Sequence, residues 1–148
     1  MVILLAGRPY HNDPLIQHKV SEIMTSFGID VVTEDVARGV DESTKDSHII
    51  PQWSYVNRII RAAKMVAESK DNIHFVQLTN FGCGPDAFIL DEVGDVLRRY
   101  GKNHTILKVD DVNNAGSLRL RIRSLVESIK FKRHTDAIKK EFKTTPEF

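Results

Sequence analysis

At 148 residues, with 41% hydrophobic and 28% charged side chains, the chain has the length and composition of one globular domain with a substantial core. A formal net charge of +1 gives no basis for broad electrostatic binding to nucleic acid or to an anionic membrane, and no apolar run approaches the ~20 residues that span a bilayer. The opening run Val2–Ala6 is too short for a secretory core and lacks a basic leader, so a cytoplasmic location is expected. One cysteine excludes an internal disulfide and any complete multi-cysteine metal site within the chain.

In chain order, short β-prone apolar runs alternate with helical patterns. Strands are predicted at Val2–Ala6, Ile29–Thr33, His74–Thr79 and Thr105–Val109, each short enough to be buried on both faces of a parallel sheet. A first helix is predicted to begin after Asp13, with Pro14 at its first position and Ile16, Val20, Ile23, Met24 and Phe27 on one face, ending at Gly28. The stretch from Glu34 to Gln52 contains no clear core element, and a connection of that length is usually functional or mobile. A second helix follows over Trp53–Lys70, with Val56, Ile59, Ile60, Ala63 and Val66 at helical spacing. A third covers Asp86–Tyr100, with Ile89, Val93, Val96 and Leu97, and stops at Gly101.

After Asn113-Asn114-Ala115-Gly116-Ser117, the run Leu118–Arg123 alternates like a strand. The longer set Leu118, Ile122, Leu125, Val126 and Ile129 fits a helix better. Residues 131–148 are strongly charged and read as a tail, frayed helix or linker remnant. The order predicts a three-layer, Rossmann-like α/β domain over residues 1–130, with a mainly parallel sheet of about four strands.

In such folds ligands meet the carboxyl ends of the strands. The loops expected there are Gly7–Asp13, Thr33–Asp35, Asn80–Asp86 and Asp110–Asn114. Cys83 lies between Gly82 and Gly84, whose backbones allow close approach or positive φ, just before a helix opened by Pro85. A helix N-terminus lowers a thiol pKa, which suits a metal-ligating thiolate, a nucleophile or a redox thiol; a small structural residue in a tight turn fits equally well. Arg8 and the predicted first helix suggest an anion site, and His11 is either an acid–base group or ordinary surface. There is no Walker loop and no G-x-G-x-x-G. Asp110-Asp111 reads as a hard-cation site or as loop solvation. Arg119, Arg121 and Arg123 read as a solvated flank or a surface for an acidic partner.

Four motifs occur in order: Gly7-Arg8-Pro9-Tyr10-His11, Gln52-Trp53-Ser54-Tyr55, Phe81-Gly82-Cys83-Gly84-Pro85-Asp86 and Arg119-Leu120-Arg121-Ile122-Arg123-Ser124-Leu125. With them, the sequence resembles the carboxy-terminal region of the CoA-substrate-specific enzyme activases, from about Val2 to about Ile129. In that family an ATPase portion is joined to a region similar to the 2-hydroxyacyl-CoA dehydratase D component. The resemblance implies a piece of a larger protein linked to ATP-dependent reductive activation of acyl-CoA dehydratases in anaerobic metabolism.

The dehydratase relatives hold a [4Fe–4S] cluster on cysteines from more than one subdomain. Carried over, Cys83 matches a cluster ligand, with Gly82 and Gly84 as its loop backbone. Arg8, Tyr10 and His11 match a family loop, and Asn80 and Asp86 complete the expected site edge. The partners implied are other domains of the parent chain and an acyl-CoA or dehydratase partner, with no nucleic acid and no membrane.

A cluster takes several thiolates and the chain has one, so the isolated chain is expected to hold none; lacking the phosphate loops of an ATPase, it is also expected to hydrolyse no ATP and to be inactive alone. The expected function is that of an iron–sulfur-associated domain contributing one cysteine and a loop surface to a shared site. The alternatives are a non-catalytic binding or scaffold domain with a structural Cys83, and an independent thiol enzyme using Cys83 and His11.

Overall fold

The computed structural model describes residues 1–13, 15–16, 19–39, 53–80, 82, 84–109 and 115–144. Four strands form one all-parallel sheet: β1 (Val2–Ala6), β2 (Asp30–Thr33), β3 (Ile73–Thr79) and β4 (His104–Lys108), in the spatial order β2-β1-β3-β4. Leu4 sits beside Val32 on one side and Phe75 on the other, and Thr79 beside Lys108. The fold is a three-layer α/β arrangement of the Rossmann-like kind. Its central strands β1 and β3 are the most apolar and most buried, whereas β2 and β4 at the edges are partly exposed.

Three helices flank the sheet: α1 (Val20–Ser26), α2 (Ser54–Glu68) and α3 (Gly84–Arg99). The chain moves from β1 outward to β2, then back past β1 to β3 and on to β4. With right-handed crossovers, those opposite directions put α1 on one face and α2 and α3 on the other. The second face holds the main core, where Leu4, Ala6 and Phe75 of the sheet meet Val56, Ile59, Ile60 and Ala63 of α2 and Ile89, Val93 and Leu97 of α3. On the α1 face, Ile3, Leu5, Val76 and Leu78 are buried, as are Val20 and Met24 of the helix.

Two expectations change and a third becomes definite. The first helix does not start after Asp13. Asp13 Oδ1 accepts the Leu15 amide at 2.8 Å, closing a short turn, and Lys19 takes φ 61° immediately before α1. Leu15 is 79% exposed, so nothing rewards a helix there, and the capping signal of Asp13 is spent locally. Pro14 lies outside the described residues. Secondly, the long connection after β2 opens with a 3-10 turn, Glu34–Ala37, and its Ala37 joins the core; residues 40–52 lie outside the description. Thirdly, of the forms expected for the charged tail, helix or linker remnant, the structure has helix: α4 runs over Ala115–Thr144. Lysine, arginine and glutamate are good helix formers, which explains why charge did not end it.

The chain parts into two compact units, Met1–Asn113 and Asn114–Phe148. The first holds the sheet and α1–α3; the second is α4. Among the described residues no helix is long and apolar enough to cross a membrane.

Candidate functional site

Because the strands are parallel, the segments after β1, β2 and β3 leave from one edge. Connections depart in opposite directions from β1 and β3, which are neighbours, so the topological switch point lies between them. Open α/β sheets bind ligands at this crevice.

Two linked clusters of side chains occupy it. In the first, Arg8 from the segment after β1 donates from Nε to Asp86 Oδ1 at 2.9 Å, and Thr79 Oγ1 at the end of β3 donates to Asp86 Oδ2 at 3.1 Å. Asp86 is buried in the first turn of α3. Its two oxygens thus tie the β1 segment, the end of β3 and the start of α3 together. Burial works to lower the Arg8 pKa, but the Asp86 hydrogen bond and charge, with Tyr55 and Tyr10, outweigh it and raise it. The guanidinium carbon also lies 5.3 Å from the centre of the Tyr55 ring.

The second cluster is a chain of hydrogen bonds. A single 3-10 turn, Pro9–Asn12, turns His11 inward to 1% exposure. The Arg8 amide donates to His11 Nδ1 at 3.0 Å, so the ring proton sits on Nε2, which donates to Asn80 Oδ1 at 3.1 Å. Asn80 Nδ2 in turn donates to the Tyr10 hydroxyl at 3.1 Å. Gly7 is required by this packing: a Cβ there would stand 2.5 Å from His11 Nδ1.

The five edge residues read from the sequence, Arg8, Tyr10, His11, Asn80 and Asp86, therefore come together. Their roles differ from the first expectation in two respects. His11 is not ordinary surface but a buried strut with both ring nitrogens engaged. The charge of Arg8 is already matched by Asp86, and α1 begins only at Val20, so the proposed anion site lacks both of its parts. Gly82 takes φ +74°, which favours glycine; Gly84 opens α3 with open space where a Cβ would stand. Phe81, Cys83 and Asp110-Asp111 lie outside the described residues.

The sequence reading missed Gly7, Tyr55 and Thr79 as site residues. Tyr55 is visible as part of an aromatic pair at the start of a helical pattern. Nothing local indicated that it would meet Arg8. Glu34, directly after β2, belongs to an edge loop expected from the sequence, but nothing local marks it as buried. It is 1% exposed, with Asn12 and its own backbone beside the carboxylate and, among the described residues, no further hydrogen-bond partner for either oxygen. Burial pushes the Glu34 carboxyl up, against the opposing pull of its own backbone and of Arg58. Beside it, Asp35 pairs with Arg38 at 2.9 Å and Arg58 at 3.5 Å.

Among the described residues, no group of three or more His, Cys, Asp and Glu side chains is placed to hold a metal ion. Compared with known proteins, the chain matches no family model, no curated protein and no solved structure.

Proposed function

We propose that this domain is an iron–sulfur-associated module of a 2-hydroxyacyl-CoA dehydratase- or activase-like protein, contributing Cys83 and its loop surface to a site shared with other domains. One observation carries the proposal. The segment that contains Cys83 runs from Asn80 to Asp86, and each of those residues is fastened to the segment after β1, Asn80 through His11 and Tyr10 and Asp86 through Arg8. A thiol that must meet ligands from another domain benefits from such fixed ends, because less ordering remains to be done on assembly.

A [4Fe–4S] cluster takes several thiolates, and this chain has one cysteine, so its own residues do not fit a complete cluster site. Its contribution is a single ligand, with acyl-CoA chemistry and ATP use lying in other parts of the assembly. A second reading is a scaffold domain with a structural Cys83, favoured by the commitment of His11, Asn80 and Asp86 to one another.

Anaerobic iron–sulfide reconstitution separates the two. In a longer protein that joins this chain to further cysteine-bearing domains, the cluster EPR signal should be lost or strongly weakened by Cys83→Ala. An unaltered signal in that variant would leave the scaffold reading.

A further inference from the structure

The chain's single tryptophan is not in the core. Trp53, directly before α2, is 53% exposed, and its ring lies 6.2 Å from that of Tyr55 with the two planes only 9° apart. Tyr55 is in turn set against the Arg8 guanidinium, and Arg8 is held by the buried carboxylate of Asp86. The order of attachment runs from a fixed ion pair through a half-buried ring to an exposed one. Large aromatic rings usually hide most of their surface, and this one is left open and aligned. It is joined through Arg8 to the switch-point edge, where sheets of this kind receive ligands.

We propose that Trp53 and Tyr55 form a stacking platform for a planar heteroaromatic ring, of the purine class. Flat rings attract flat rings, and the indole, already parallel to the Tyr55 ring, offers a flat face to one. An anion gains little from Arg8, because Asp86 already matches its charge. An aliphatic chain would gain buried area but would not need the parallel alignment of the two rings. The platform does not depend on Cys83, so it stands or falls separately from the function proposed above.

Because Trp53 is the one tryptophan, its fluorescence reports on the platform alone. Titration of the full chain with adenosine should quench it along a saturable curve, with a dissociation constant on the order of 1 mM or tighter, while ribose leaves it unchanged. In ligand-observed NMR, Trp53→Leu should weaken adenosine binding at least about tenfold, which corresponds to a loss of ~1.4 kcal/mol. Its melting temperature should stay close to that of the wild type, since the ring is exposed. Non-saturating quenching like that of free N-acetyltryptophanamide would overturn the proposal, as would adenosine binding unaffected by Trp53→Leu.

Discussion

Single atoms decide much of the site. The Gly7→Ala methyl would collide with a histidine that is itself buried and bonded at both nitrogens. Such overpacking should cost about 1–3 kcal/mol, read as a fall in urea midpoint with an unchanged slope. An unaltered midpoint would mean that His11 yields easily. The Arg8–Asp86 pair is asymmetric, with side-chain exposures of 22% and 6%. Arg8→Met leaves a buried carboxylate whose remaining side-chain partner among the described residues is Thr79, whereas Asp86→Asn leaves an arginine that can turn toward water. Arg8→Met should therefore be the more damaging, by about 1 kcal/mol or more; equilibrium unfolding of both variants gives the order directly. These contacts join residues up to 78 positions apart. That is why the sequence offered Arg8, His11 and Asp86 as candidates but could not say that they bond to one another.

Among the elements, the strands were the most legible. Val2–Ala6 and the run from Ile73 to Thr79 are apolar because both faces are buried, and few other structures accept such short runs. The start of α1 was not legible, since Asp13 caps a turn as readily as a helix. The packing of α3 on β4 also carries a pH dependence. His104 on β4 pairs through Nε2 with Gln77 Oε1 at 3.0 Å, Gly94 of α3 lies close by, and burial lowers the imidazole pKa below its usual 6.5.

A lowered histidine pKa means that the unfolded chain takes the proton first. The contribution is intact above about pH 6.5 and is lost as pH falls below it through the folded value. His104→Gln should flatten that part of the stability–pH curve in urea titrations. Glu34 has the opposite sign. Its raised pKa favours the folded state below the ordinary 4.5 and is lost as pH rises. Glu34→Gln should thus stabilise the chain at neutral pH, with the advantage shrinking toward pH 4. An advantage that grew on acidification would contradict the burial of this carboxyl.

For the whole molecule, strand–helix alternation was enough to give a parallel sheet, and the sheet order places the segments after β1 and β3 side by side. Tyr55 lay beyond sequence reading because it reaches the edge from α2, an element whose local pattern speaks only of its core face. The segment between Asn80 and Asp86 is held at both ends, and the central proposal is that its Cys83, directly before the first residue of α3 in sequence, serves as a reactive thiol. The most direct measurement is the pH dependence of iodoacetamide alkylation at Cys83, in folded and in urea-unfolded chain. The account predicts a folded-state midpoint below the ~8.5 of a free thiol. A folded midpoint at or above that of the unfolded chain would contradict it.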